Sequence, residues 1–306
     1  MPAGNALAIA GELAEGLRTA TADLPEPALD DSGELAAPLR RRYRERVEGC
    51  AGIDTLRAAV ERTLVTRAGA SGYLVLDCRE LLDGVGESQA LTSLTALLTL
   101  VGTPLRVFDD WDLWKPLGTS TEVAPERATG VGYNPLHIDV VNSTLPPDYA
   151  CLLCMREDPR GGGNSLVASL QDAVAALDAE QVGYLSEPAY QDGRFYNLSG
   201  VGVEFNPFPV LQRRPDGLWM VRFSAKMLPE MAPGPHKEAV LALERLLVAS
   251  QEEFLLGKDQ LLIVNQRLVC HGRMALGEGQ AELPPARRRL LRQVFLQTSG
   301  RPAAAR

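Results

Sequence analysis

Few residues in this chain combine a type and a spacing that could do chemistry. Three histidines occur in 306 residues, and one stands two positions before an aspartate, in His137-Ile138-Asp139. On an extended strand, residues i and i+2 project from one face, about 6–7 Å apart along the chain. An imidazole and a carboxylate so placed can meet on one metal ion. His271, in Cys270-His271-Gly272-Arg273, can come from a neighbouring strand and complete a triangular face. Two histidines and a carboxylate on one face, with the opposite positions open, are the preferred site of non-haem Fe(II) oxygenases. A His-x-Asp pair is also common in proteins that bind no metal, so the surrounding pattern decides.

That pattern is of a soluble, globular chain, 45% hydrophobic and 23% charged, long enough for one large domain or two small ones. A net charge of −8 argues against a nucleic-acid-binding surface. No stretch is long and apolar enough to span a membrane. The start, Met1-Pro2-Ala3-Gly4-Asn5, lacks the basic region of a secretory signal. Five cysteines, an odd number in a long chain, do not form a disulfide framework. A cytoplasmic protein with reduced thiols is the expectation.

The elements that must position the three ligands follow from periodicity. Residues 5–20 read as a helix, 23–38 as an acidic linker with Pro25, Pro27 and Pro38, and 39–66 as a helix with an arginine-rich, solvated face. Gly72 to Asp77 is a short apolar strand, 88–101 an amphipathic helix, and 103–108 another strand. From Val131 to Phe223 come short β-like runs broken by Gly, Pro and Asn. A helix over 234–257 and strands over 260–264 and 289–297 follow. The organisation is a helical N-terminal extension (1–70), a β domain (71–299) with a helical insert (234–257), and a tail (300–306). The fold class expected is mainly β with flanking helices, a jelly roll with a site in its mouth. Cys151 and Cys154 lie three apart on an apolar strand and face opposite sides, as buried thiols rather than a redox pair. Cys270 should point away from any metal that His271 binds, and His236 reads as a surface residue.

The segment Asn134 to Ala168 resembles the clavaminate synthase-like and taurine dioxygenase superfamily of Fe(II)/2-oxoglutarate dioxygenases. The likeness rests on His137-Ile138-Asp139, the turn Pro146-Pro147-Asp148-Tyr149, the apolar strand from Cys151 to Met155, and the turn Gly162-Gly163-Asn164-Ser165. Downstream, Asn265 to Arg273 resembles the family's Asn-x-Arg-x-x-x-His-Gly-Arg, and Arg288-Arg289-Leu290-Leu291-Arg292 its terminal Arg-x-Leu-x-Arg strand. The resemblance covers about residues 70–297.

It implies Fe(II) held by His137, Asp139 and His271, with 2-oxoglutarate and O2 as co-substrates and a double-stranded β-helix as the fold. The distal carboxylate of 2-oxoglutarate needs an arginine, whose planar fork gives two charge-assisted hydrogen bonds. Arg288 holds the family's anchor position, Arg292 is the runner-up, and Arg289 should face the other way. Ser165 stands where the family places a hydroxyl on the same carboxylate. For the substrate, Tyr133 and Asn134 end a glycine-rich approach that could act as a lid, and Asp110 offers a carboxylate. Phe205 could form a pocket wall. Arg222 and Ser224, followed by Lys226, occupy the strand where members that hydroxylate basic amino acids tend to place acidic residues. That departure favours a polar or acidic group on the substrate.

The expected function is hydroxylation of an unactivated C–H of an amino acid or amino-acid-derived metabolite, with succinate and CO2 as co-products. Desaturation, cyclisation or epoxidation with the same cofactors is the alternative, whereas Asp139 argues against halogenation. A zinc hydrolase using the same ligands and a non-catalytic small-molecule-binding barrel are the further readings. Iron- and 2-oxoglutarate-dependent succinate formation separates all three.

Overall fold

The computed structural model describes residues 4–65, 67, 69–108, 110–143, 145–192 and 207–298. In chain order the elements are β1 (Ala6–Ala8), α1 (Gly11–Thr21), α2 (Ala37–Glu48), α3 (Ile53–Thr63), β2 (Tyr73–Asp77), α4 (Arg79–Leu82) and α5 (Glu87–Leu98). Next come β3 (Thr103–Leu105), β4 (Lys115–Gly118), β5 (Asn134–His137), β6 (Tyr149–Arg156), β7 (Ser165–Ser169), α6 (Leu170–Ala175) and α7 (Ala179–Leu185). The chain continues with β8 (Leu211–Arg213), β9 (Trp219–Val221), α8 (Pro235–Ser250), β10 (Glu252–Phe254), β11 (Gln260–Asn265), β12 (Val269–Arg273) and β13 (Leu290–Gln297).

Two sheets carry the fold. The larger has seven strands in the order β1-β2-β11-β6-β13-β3, with β4 also paired to β13, and the smaller runs β10-β7-β12-β5. Period-2 alternation builds the layers. On β6, Cys151 and Leu153 join a core shared with helices α1 to α5, whereas Leu152 and Cys154 face Val167, Phe254 and Val269 of the smaller sheet. Each such leucine contributes about 1.5–3 kcal/mol by leaving water, so a strand apolar on both faces is fixed between two layers. The outer face of the smaller sheet, with Leu136, Leu166, Ala168 and Cys270, packs on Leu243 and Leu247 of α8. Cys270 thus lies on the face opposite His271, and all five cysteines are buried free thiols.

Three boundaries differ from expectation. The N-terminal segment is not purely helical, because Ala6–Ala8 pairs in parallel with Val75–Asp77 and extends the sheet. The helix expected over 39–66 is two helices, broken where Gly52 takes φ of 76°, a left-handed conformation that glycine adopts without strain. The run expected to be β alone contains α6 and α7. Ser169 caps the first, and Asp178 with Gln181 forms a capping box on the second, a signature visible in the sequence as Asp-x-x-Gln. The tail lies outside the described residues.

Candidate active site

The site is built at one end of the smaller sheet. His137 ends β5 and pairs in register with His271 of β12. Directly opposed residues of antiparallel strands share a face, and the two rings lie with centroids 4.7 Å apart. Beyond His137 the chain leaves the strand. Ile138 N–H still donates to Phe223 O at 2.9 Å. Asp139 N–H donates to Gln266 Oε1, and Gln266 in turn donates to Pro147 O at 3.0 Å. These bonds hold Asp139 in a turn whose next residue, Val140, has φ of 59°, a strained conformation for a β-branched residue. His137 Nε2 lies 3.6 Å from Asp139 Oδ1, and His271 Nε2 lies 3.3 Å from Asp139 Oδ2. All three ligand atoms lie within 4.8 Å of one another. Gln293 Nε2 donates to Asp139 Oδ2 at 3.2 Å.

The protonation states suit a cation. His137 Nδ1 lies 2.7 Å from Pro135 O. A carbonyl can only accept, so Nδ1 carries the proton and the Nε2 lone pair faces the triad. Burial, and next the Lys226 ammonium, push His137 down to about 4, against the pull of Asp139. Burial alone would raise Asp139, but the two histidines outweigh it and hold the carboxyl well below the usual carboxylate range. At neutral pH the centre therefore offers a neutral His137 imidazole and an ionised carboxylate, the forms that bind metal.

A second cluster lies next to this one. Ser165 opens β7, buried and in register with Arg273 of β12. Arg273 donates from Nη1 to Met274 O and from Nη2 to Gly130 O, while among the described residues its buried Nε has no hydrogen-bond partner. Arg289 is buried, and among the described residues its guanidinium makes no hydrogen bond. Burial, and then Arg289, pull Arg273 down to about 10, and burial likewise lowers Arg289. Asp158 eases both, but it already accepts from Gly277 N–H and Gln280 Nε2. The Arg289 stem lies close over Gly163, where a Cβ would come within 3.4 Å of it and within 2.6 Å of Leu276. Two buried guanidiniums with this little compensation fit a carboxylate-bearing ligand.

The arginine expected to face inward was Arg288, and the structure reverses that parity. Arg288 is half-buried on the outside, with Nε donating to Leu283 O at 2.9 Å. Arg289, Leu291 and Gln293 alternate on the inner face, as the bond from Gln293 to Asp139 shows. The cause is local. Pro285–Arg287 forms a 3-10 turn, β13 starts only at Leu290, and its pairing with β6 shifts register between Leu290 and Leu291. Arg292, the runner-up, points outward and pairs with Glu87.

Of the residues suggested for substrate, Ser224 lines the cavity at the triad, and its backbone bridges His137. Arg222 does not line it; its Nε donates to Val141 O at 3.0 Å and its guanidinium stacks on Phe208. Asp110 is exposed and away from the lining, Tyr133 is 40% exposed, and Asn134 is buried on β5. Phe205 lies outside the described residues. The cavity, about 110 Å³, is also walled by Phe108, Trp111, Lys115, Lys226 and Gln293. Of these, Lys115 and Gln293 were missed in the sequence, although Gln293 falls at i+4 from Arg289 and so on its face. A wider cavity of about 690 Å³, lined by Arg44, Arg57, Asp148 and Arg267, contains none of the triad.

Residues 107–294 match the model of the taurine catabolism dioxygenase TauD, TfdA family. The chain belongs to the TauD/TfdA dioxygenase family. An L-lysine 3-hydroxylase of Catenulispora acidiphila is 27% identical over 147 residues, which cover 45% of the chain and 39% of that enzyme. The chain thus spans well under half the length of this curated relative. A structure of asparagine oxygenase with Fe(II), 2S,3S-3-hydroxyasparagine and succinate superposes with a TM-score of 0.75 at 19% identity, covering 96% of this chain and 94% of that one. The non-haem iron oxygenase OrfP with Fe and α-ketoglutaric acid gives 0.72 at 16% identity, over 96% and 94%. The fold shared with these two solved oxygenases extends across nearly the whole chain, including the N-terminal helices that the family model leaves out.

Proposed function

We propose that this chain is an Fe(II)- and 2-oxoglutarate-dependent oxygenase that hydroxylates an unactivated C–H of an amino acid or an amino-acid-derived metabolite. The observation that carries the reading is the buried triad, two Nε2 atoms and a carboxylate facing one another within 4.8 Å. The partner-poor Arg289 and Arg273 beside it support the co-substrate, and the amino-acid hydroxylases among the relatives support the substrate class. The two facing sheets are read as a double-stranded β-helix whose mouth holds the site.

In this reading His137, Asp139 and His271 hold the iron, and Arg289, with Ser165 beside it, takes the distal carboxylate of 2-oxoglutarate. Iron and 2-oxoglutarate bound there would supply, with O2, the oxidising chemistry able to break an unactivated C–H bond, with succinate and CO2 as co-products. The protein's part is placement. The Pro135 carbonyl fixes the His137 tautomer, and Gln266 and Gln293 fix Asp139 from two directions. Trp111 and Phe108, with ring centroids 3.9 Å apart, form an aromatic part of the cavity wall. The test is succinate release by the purified protein. It should require both Fe(II) and 2-oxoglutarate and rise with an amino-acid substrate; succinate release indifferent to chelation would reject the reading.

A further inference from the structure

Between β4 and β5 the chain runs along the triad cavity as a strap, residues 119–132, with neither helix nor strand. Residues 121–128 are all exposed, so burial of their side chains does not hold the strap. Backbone bonds hold it in part. Ser120 N–H donates to Thr129 O at 2.8 Å, Gly130 N–H to Arg127 O at 2.9 Å and Gly132 N–H to Pro125 O at 2.9 Å. The closure is tight, because a Cβ at Gly130 would come within 2.4 Å of Ala124 O and Pro125 O. Arg127 and Ala128 of the strap line the triad cavity.

Both ends of the strap are tied to the arginine cluster. At its start, Thr119 donates from N–H and from Oγ1 to Arg289 O, each at 3.1 Å. At its end, Gly130 O accepts from Arg273 Nη2 at 2.7 Å, and Val131 O accepts from Leu276 N–H at 2.9 Å. Arg273 thus serves two regions. Its Nη groups hold backbone carbonyls, while among the described residues its buried Nε has no hydrogen-bond partner. Burial, and then the Arg289 charge, work against its ionised form. A carboxylate on the two guanidiniums offsets both and gives Nε an acceptor, which fixes the guanidinium where it holds Gly130 O. Resting on the oxygenase reading of this site, we propose that Arg273 is a positioning residue that carries occupancy of the co-substrate site to the substrate cavity: a carboxylate on the arginine pair closes the strap and sets Arg127 and Ala128 in the cavity wall. Coupling between two sites is reciprocal, so a closed strap also tightens the hold on the co-substrate.

The test is amide hydrogen exchange of the Mn(II)-loaded protein, without O2, followed in peptides spanning 119–132. It is run with no ligand, with 2-oxoglutarate and with pyruvate, and calorimetry measures the binding of each. 2-Oxoglutarate should slow exchange of the strap about tenfold, because these amides exchange from its open form. Pyruvate offers the same keto acid to the metal but has no distal carboxylate, so it should leave the strap's exchange unchanged. Arg273→Met should abolish the protection even at 2-oxoglutarate concentrations that saturate the variant. Arg273→Lys should restore only part of it, since an ammonium keeps the charge but loses the planar fork. Two further variants leave both arginines in place. Gly130→Ala forces the strap off Ala124 and Pro125, so exchange should be fast with or without ligand, and 2-oxoglutarate should bind about tenfold more weakly. Thr119→Val removes one bond to Arg289 O and should weaken it about threefold. Equal protection by pyruvate, full protection in Arg273→Met, or undiminished 2-oxoglutarate binding by Gly130→Ala overturns the proposal. Binding of 2-oxoglutarate that leaves the strap's exchange unchanged overturns the proposal alone, whereas no binding of 2-oxoglutarate at all overturns the oxygenase reading and the proposal with it.

Discussion

The triad and the arginine pair share β12, which carries both His271 and Arg273, yet they are completed differently. His137, Asp139 and His271 arrive with opposite charges, mutual contacts and hydrogen bonds from Pro135, Gln266 and Gln293. Arg273 and Arg289 arrive with like charges, an Arg273 Nε without a hydrogen-bond partner among the described residues, and an Asp158 already engaged by Gly277 and Gln280. A folded chain tolerates a partly satisfied buried charge only at a cost of several kcal/mol. The first cluster is therefore nearer to self-sufficiency as folded, although the buried His271 Nδ1 has no hydrogen-bond partner among the described residues, and on the proposed reading the second is completed by what it binds. Metal and co-substrate sites can be broken separately, and the two kinds of breakage should look different.

The largest effect is expected at the triad. His137→Ala, Asp139→Ala and His271→Ala should each abolish Fe(II)-dependent succinate release while the protein stays folded, checked by circular dichroism and by metal retention on a desalting column. Full activity in any one variant removes that residue from the centre. Asp139→Gly opens a coordination position without adding bulk, and it too should lose hydroxylation.

Next is Arg289. Removing the partner of a buried carboxylate costs about 3–5 kcal/mol, so Arg289→Ala should raise the apparent constant for 2-oxoglutarate by about two to three orders of magnitude. Arg288→Ala and Arg292→Ala should leave it near normal, since the first bonds to Leu283 O and the second to Glu87 outside the cavity. The comparison sharpens in the absence of ligand. Arg289→Met removes an under-compensated charge, so the ligand-free variant should be more stable in urea than the native protein by about 1–3 kcal/mol, even as it loses 2-oxoglutarate. A loss of both stability and affinity would make Arg289 a structural residue.

Acid should expose the triad's own cost. Unfolded, His137 takes its proton near pH 6.5, whereas folded it does so only at about 4. Between those values the unfolded chain binds the extra proton, so stability is intact above pH 6.5 and falls as the pH is lowered toward 4. The full loss from this group is about 3 kcal/mol. Urea midpoints of the chelator-treated protein at pH 7 and 4.5 measure it, and His137→Asn should show a shallower fall.

Legibility in the sequence followed how local each constraint is. His137 and Asp139 are two apart, and Asn265 to Arg273 fixes which histidine answers them, so the triad could be read without knowing the pairing. The inward arginine could not. Its parity depends on where β13 begins, and that is set by the Pro284-Pro285 turn and by a register shift against β6. Adjacent positions Arg288 and Arg289 exchange faces on a one-residue slip, so the alternation is legible in the sequence and its phase is not. Lys115 was further out of reach, because only the β4–β13 register places it opposite Gln293. The strand Ala6–Ala8 was hidden by its composition, since Ala and Leu favour helix until a neighbouring edge recruits them. The capping box of α7, by contrast, was legible and passed over.

Ser165 should show the smallest effect. It is buried, opens β7, and lies opposite Arg273, so its hydroxyl shares the face of the arginine cluster. A hydroxyl donating to a carboxylate contributes about 1.5–3 kcal/mol when the acceptor is charged. The arginines remain in Ser165→Ala to hold that carboxylate, so the lower end applies, and the apparent constant for 2-oxoglutarate should rise about tenfold. Ser165→Thr keeps the hydroxyl and should recover most of the loss. The double variant Ser165→Ala/Arg289→Ala decides whether the two act on one group. If they share a carboxylate, the second change should cost less in the double variant than alone, because the ligand is already displaced. Strictly additive losses would place Ser165 on a different group, leaving Arg289 and Arg273 as the whole of the anchor.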